Sequence, residues 1–147
     1  MARISITSNA KDVNRRLDRR VKKANRDIEK LIKLSTGLVR NTAVNNIQGG
    51  VKSGKIYKRG TKTHQASAPG EYPASDTGDL ATSISQSYIK RGHQHIGKTT
   101  ASMEYGKHLE YGTLNMQARP FMFPSLEKNR RKILQRFKNA GFMRRLS

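Results

Sequence analysis

The stretch Val13-Asn14-Arg15-Arg16-Leu17-Asp18-Arg19-Arg20-Val21-Lys22-Lys23-Ala24-Asn25-Arg26-Asp27-Ile28-Glu29-Lys30-Leu31 decides the fold. Its apolar residues Val13, Leu17, Val21, Ala24, Ile28 and Leu31, continued by Leu38 and Ile47, recur mostly at three- and four-residue steps. That is the spacing of one face of an α-helix. The pattern predicts an amphipathic helix from about Ser8 to Ile47, with Gly37 as a point of interruption. Between the apolar positions lie Arg15, Arg16, Arg19, Arg20, Lys22, Lys23, Arg26, Lys30 and Lys33, relieved by Asp18, Asp27 and Glu29. Such a surface is either a solvated helix face or one that meets a polyanion.

Downstream of this helix, Gly49 to Ser75 contains Gly49-Gly50, Gly54, Gly60, Pro69-Gly70 and Pro73 without sustained periodicity, which predicts a long flexible loop. Its part Ser67-Ala68-Pro69-Gly70-Glu71-Tyr72-Pro73 is held extended by the prolines and anchored by Tyr72, as a strap over a neighbour would be. Asp76-Thr77-Gly78-Asp79-Leu80 reads as a helix start capped by Asp76, with the helix ending near Ser85. Ser87 to Lys90, Gln94 to Ile96 and Thr100 to Tyr105 read as short strands, with turns at Arg91-Gly92 and Gly97-Lys98. Tyr105 to Gly112 fits either one helical turn or a strand end. A last helix is expected from Ser125 as N-cap, with Leu126, Ile133, Leu134 and Phe137 inward and Gly141 as its stop. Its cations, among them Arg130, Arg131 and Lys132, make a second basic face. The fold expected is α+β: a long N-terminal amphipathic helix and a C-terminal helix packed on a small antiparallel sheet, with the Pro/Gly loop at 49–75. All of it fits one domain, 1–147, ending in a basic tail at 141–147.

Composition narrows the function. The 147 residues are 34% hydrophobic and 27% charged, so only a modest core can form. The absence of cysteine excludes disulfides and thiolate metal sites, and fits a reducing compartment. Met1-Ala2-Arg3-Ile4-Ser5-Ile6 lacks the apolar region of a signal peptide, and no apolar run approaches a membrane span. A net charge of +20 favours a polyanion or an acidic protein surface.

Catalytic constellations are weak. His93 and His95 would share one face of a strand, but a metal site needs at least a third ligand, for which only His108, Glu104 and Glu110 are available. Asp76 and Asp79 are explained by helix capping, with no cleft expected beside them. Gly54-Lys55 and Gly60-Thr61-Lys62-Thr63 lack the spacing of a phosphate-binding loop, and no serine stands in a nucleophile-elbow pattern. The chain is expected to be no enzyme and to hold no cofactor or metal. Glu110 before Tyr111-Gly112 and Arg119 beyond a turn suggest an ion pair that fixes the turn, so that charge reversal at Glu110 would disrupt folding or assembly.

Taken together, the basic N-terminal helix, His64-Gln65-Ala66-Ser67-Ala68-Pro69-Gly70-Glu71-Tyr72-Pro73-Ala74, Thr77-Gly78-Asp79-Leu80 with Ser83-Ile84, Tyr105 to Glu110-Tyr111-Gly112-Thr113, and Arg119-Pro120-Phe121 form an ordered series. This series resembles the tail-component family of long-tailed bacteriophages, described as tail-completion or head-to-tail joining proteins of the neck, over about residues 10 to 140. The resemblance implies a non-enzymatic virion protein. It implies a homo-oligomer, a hexameric ring at the head-proximal end of the tail, assembled in the host cytoplasm beside neighbouring neck proteins and the tail terminator or tube protein. It places subunit-packing parts on Ser67, Pro69, Gly70 and Pro73, on Glu110, Gly112 and Thr113, and on Arg119, Pro120 and Phe121.

Ring closure requires heterologous interfaces, for which the strap with Tyr72 and the anchors Phe121, Met122 and Phe123 are suited. Phe121 and Phe123 could equally divide between the two sides of a core strand. The basic residues Arg15, Arg16, Arg19, Arg20, Lys22, Lys23, Arg26, Arg130, Arg131 and Lys132 would face threading DNA or acidic surfaces of adjoining rings. DNA that must keep moving argues for ring docking as the main use. A basic nucleic-acid-binding architectural protein is the alternative. The low aromatic share, 6%, speaks against base stacking on single strands and leaves duplex binding open. A metal-dependent nuclease rests only on scattered histidines and acids.

Overall fold

The computed structural model describes residues 9–142. Helix α1 runs without interruption over Ala10–Gly49, about 60 Å at the rise of an α-helix. No proline falls within it, and Gly37 does not break it. A side chain at Gly37 would crowd the Gln86 amide, 3.1 Å from the position of a Cβ, so this glycine serves close approach to a neighbouring strand. Gly50 ends the helix in extended geometry. There the Asn46 carbonyl accepts both the Gly50 N–H at 3.1 Å and Lys52 Nζ at 3.0 Å, and Lys52 Nζ also donates to the Tyr72 carbonyl at 2.9 Å.

Two antiparallel hairpins follow. The first, β1 (Ile56–Arg59) and β2 (Lys62–Gln65), lies inside the segment expected to be a loop. Its turn is Gly60-Thr61, with Gly60 at φ +63, a conformation that glycine adopts without strain. After a short helix α2 (Asp79–Ser83), the second hairpin pairs β3 (Ile84–Arg91) with β4 (Gln94–Ala101) around Gly92. Helices α3 (Tyr105–Tyr111) and α4 (Met122–Asn139) complete the described chain. The α+β class and the two flanking helices are as expected, but the sheet component is two separate two-stranded pieces.

Several boundaries differ from the sequence reading, each for a local reason. Gly97-Lys98 is strand interior, because Gly97 is the point where β4 passes against α1. The strand expected from Thr100 ends at Ala101, and Tyr105 opens α3, which settles the ambiguous stretch as helix. Helix α2 starts at Asp79 with Gly78 in the left-handed region, so Asp76 is not its cap. Helix α4 starts three residues before Ser125. Of the expected basic tail, residues 143–147 lie outside the described residues.

The core is small and lies at one end of the molecule. Ala43 and Ile47 of α1, Leu80 and Ala81 of α2, Ile84 at the start of β3 and Phe121 before α4 are buried together. From Asn25 onward α1 is fastened to β3 and β4 by polar ties. Arg40 Nε donates to the Ile84 carbonyl at 2.8 Å. His95 is bridged on its two ring nitrogens by the Tyr88 hydroxyl at 2.6 Å and the Asn25 side-chain oxygen at 3.1 Å. The Lys33 ammonium sits 5.3 Å from the centre of the Tyr88 ring, within cation–π range. On the other side α4 is tied to α1 by Asn129 Nδ2 donating to Thr42 Oγ1 at 2.8 Å. The start of α1 is different: every residue from Ala10 to Lys23 is exposed, so the helix extends beyond the body as an arm.

A Cβ at Gly97 would lie 2.5 Å from the γ2 methyls of both Ile32 and Thr36. Those methyls are branched at Cβ and held near one rotamer in a helix, so they cannot swing away. Gly97→Ala is therefore expected to destabilise the protein by about 1–3 kcal/mol through overpacking, read as a lower urea midpoint with an unchanged slope.

Candidate assembly surface

Helix α4 begins on a carboxylate supplied by another helix. Glu110, in the last turn of α3, accepts the backbone N–H groups of Phe121 and Met122 on Oε2, at 2.8 and 2.9 Å, and that of Phe123 on Oε1 at 2.9 Å. These are the first free amides of α4, where the helix dipole is positive and an anion is favoured. No residue adjacent to α4 caps it with its side chain. The ion pair expected between Glu110 and Arg119 does not form. Arg119 instead donates from Nε to the Ser67 carbonyl at 3.0 Å, while its own N–H donates to the Leu109 carbonyl at 2.7 Å. The two residues do fix the turn, but as separate clamps on backbone.

The motifs expected to act in assembly come together at this point. Gly70 N–H donates to the Ala118 carbonyl at 2.9 Å, and the Tyr72 hydroxyl meets Ser125 Oγ at 3.3 Å. Gly112, at φ +79, has no room for a Cβ, which would sit 2.9 Å from the Met116 carbonyl oxygen. Thr113 bridges Met116 and closes the following turn. Pro120 is half-buried between the two clamps. The strap from Ser67 to Pro73 does lie over a neighbour, but that neighbour is its own chain.

This placement changes the role of several residues. Phe121 is 1% exposed and belongs to the core, and it stands just before α4 and not in a strand. Ser67 and Pro73 are also buried within the chain. Ser125 is buried inside α4, donating to the Phe121 carbonyl at 2.5 Å, and is not the N-cap. Pro69, Gly70 and Thr113 remain exposed.

Large apolar side chains are left outside beside these clamps. Tyr111 is 84% exposed, Leu114 106% and Phe123 64%. Tyr111 and Phe123 border a groove of about 710 Å³ that continues past Met122, Leu126, Ile133 and Phe137 toward Ile32 and Val39 of α1. Leu114 stands at the tip of the Thr113 to Met116 turn, a position that the sequence reading passed over. Exposed apolar patches of this kind mark contact surfaces.

Glu71 was also undervalued by the sequence. Its carboxylate takes the Ser53 hydroxyl at 2.6 Å and the N–H groups of Ser53 and Ala68 at 3.0 and 2.8 Å, binding the strap to the segment that follows α1. These donors, the Ser53 hydroxyl first, hold its pKa below the usual carboxylate value. Burial pushes the neighbouring Lys52 ammonium in the downward direction, against the opposing charge of Glu71.

The charged candidates are dispersed. Arg15, Arg16, Arg19, Arg20, Lys22, Lys23 and Arg26 are exposed along the arm of α1, and Arg130, Arg131 and Lys132 along α4. Among the described residues only Arg15 and Arg130 of these pair with a carboxylate, Asp12 and Glu127 respectively. His93 lies in the turn after β3 and His95 is engaged by Tyr88 and Asn25, so the two do not converge. Asp76 holds Arg59, with His64 4.0 Å away, and Asp79 accepts the Thr77 hydroxyl at 2.5 Å. Contrary to expectation, both aspartates border a cleft, of about 350 Å³, shared with Tyr105 and Arg119. Among the described residues no three His, Asp or Glu side chains are grouped to hold a metal ion, and no helix is long and apolar enough to cross a membrane. No protein-family model, curated protein or solved structure matches the chain.

Glu110→Ala removes the acceptor of three amides and is expected to cost about 2–3 kcal/mol in urea unfolding, with Glu110→Gln intermediate because one oxygen acceptor stays. Glu71 generates a pH signature. Because its folded pKa is depressed, its contribution is present above the unfolded value and is lost as pH falls through the folded one. The unfolding midpoint of the wild type is therefore expected to drop more between pH 5 and pH 3 than that of Glu71→Gln, and equal drops would remove Glu71 from this role.

Proposed function

We propose that this chain is a structural virion subunit of a bacteriophage neck, which completes the tail or joins it to the head as a member of a ring. The observation that carries an assembly role is surface. The accessible area is 11712 Å², whereas a compact monomer of 16.6 kDa is expected to expose about 7,600 Å². Chain outside residues 9–142 can supply at most about 2,200 Å² of that difference. A subunit that leaves this much area, with Tyr111, Leu114 and Phe123 at its edge, is shaped for burial against other molecules.

The resemblance in motif order supports the choice of the phage neck among assemblies. The strap, the Glu110-Tyr111-Gly112-Thr113 turn and Arg119-Pro120-Phe121 are distant in sequence and joined by hydrogen bonds in space, which fits parts retained as one unit. In this reading they do not contact the next subunit themselves. They hold rigid the turn and the helix start that present Tyr111, Leu114 and Phe123.

A second reading, a basic architectural protein on nucleic acid, is favoured by the arm of α1, whose cations apart from Arg15 pair with no carboxylate among the described residues. Position in the particle separates the two. Gold labelling of a C-terminal tag in purified particles is expected to mark the head-to-tail junction, and absence of label from particles with the protein found on nucleic acid would favour the second. Tyr111→Ser, Leu114→Ser and Phe123→Ser together are expected to leave the unfolding free energy within about 1 kcal/mol of wild type while abolishing incorporation at the junction.

A further inference from the structure

The β1–β2 hairpin stands apart in packing and in charge. Between Glu29 and Glu71 the chain has no carboxylate and carries eight Lys and Arg residues, of which Lys55, Lys58, Arg59 and Lys62 belong to the hairpin or its base. Every residue of β1 is exposed, and in β2 all but His64. An isolated two-stranded hairpin is marginal in water, and this one sets Arg59 directly opposite Lys62, an arrangement of like charges that destabilises a strand pair. Its ties to the body are at Asp76, which takes Arg59 and lies 4.0 Å from His64. Lys55, Lys58 and Lys62 pair with no carboxylate among the described residues.

We propose that this hairpin contacts duplex DNA through its phosphates, using Lys55, Lys58 and Lys62, while Asp76 holds its turn end to the body through Arg59. Charge complementarity selects a polyanion. The hairpin lacks a large apolar stripe such as Val13, Leu17 and Val21 expose on the arm of α1, and such a stripe is what docking on an acidic protein groove would use. Tyr57, which meets His64 edge-on at 5.1 Å between ring centres, is its single Phe, Tyr or Trp, so the hairpin has no run of aromatic faces on which successive bases of a single strand could stack. A two-stranded ribbon fits the major groove of a duplex, about 12 Å wide. Lysines on phosphates read no sequence, so the contact does not depend on which duplex is bound. The Thr61 and Thr63 hydroxyls at the tip supply further neutral donors to phosphate oxygens.

The inference deepens the neck reading by naming what one surface of the subunit touches, but it is measured on the purified chain, so either can fail without the other. Binding of the full chain to a fluorescent duplex of random sequence would be followed by anisotropy across a salt series. Two variants of equal charge are compared: Lys55→Gln with Lys58→Gln and Lys62→Gln in the hairpin, and Lys128→Gln with Arg131→Gln and Lys132→Gln on α4. The hairpin variant is expected to reduce the slope of log K against log salt by about 2–3 and the affinity at least about tenfold, with the α4 variant moving the slope by less than about 1. An unchanged helical circular dichroism signal checks the fold of both. Equal losses from the two variants, or no loss from the hairpin variant, would overturn the proposal. Displacement of the duplex by polyglutamate as readily as by unlabelled duplex at matched charge would overturn the choice of DNA in favour of an acidic protein surface.

Discussion

The carboxylate of Glu110 is bound to the amides of Phe121, Met122 and Phe123, and most of the compact end of the molecule depends on that contact. A helix start buried against a core leaves donors that water cannot reach easily, and each unmet donor weakens the fold. By meeting three of them at once, Glu110 fixes α4 relative to α3. Phe121 is thereby placed in the core, and Asn129 of the same helix reaches Thr42 of α1. The strap then closes over the junction through Arg119 to Ser67 and Tyr72 to Ser125. A chain with so few buried apolar residues relies on such polar clamps for a single arrangement.

The same scarcity explains the exposed parts. The arm of α1 is exposed on every side, and the β1–β2 hairpin is exposed at every residue but His64, held to the body at Asp76. Helices of this length are stabilised mainly by packing of an amphipathic face, and here Val13, Leu17 and Val21 lie uncovered. In the assembly reading proposed above, a small core, an apolar edge and charged extensions suit a part that fits into something larger. In the ring reading, the rigid end presents the apolar edge to the next subunit and the extensions are left for other partners.

Some of this was legible in the residues alone. The three- and four-residue spacing of Val13 to Ile47 identifies α1, and the turn residues Arg91-Gly92 locate the bend between β3 and β4. The first hairpin was legible in principle from Gly60-Thr61 between Ile56-Tyr57 and Thr63-His64. It was passed over because both of its faces are polar, so the alternation by which a half-buried strand is recognised is missing. Ser125 reads as an N-cap by residue type, whereas the actual cap lies far away in sequence on Glu110. Local preference cannot register an acceptor delivered by another helix.

By itself the sequence determined what is set by composition and short-range periodicity: a basic, cysteine-free chain of α+β class with a long helix at its start and a small core. Tertiary structure decided which polar groups meet. It separated Glu110 from Arg119 and gave each a backbone partner. It turned Phe121 inward while leaving Tyr111, Leu114 and Phe123 outside, and it made strand interior of Gly97 because two methyls of α1 occupy the space of a side chain there. The physical reason is that propensity and pattern act over a few residues, whereas capping, close approach and burial depend on what the folded chain brings within contact distance.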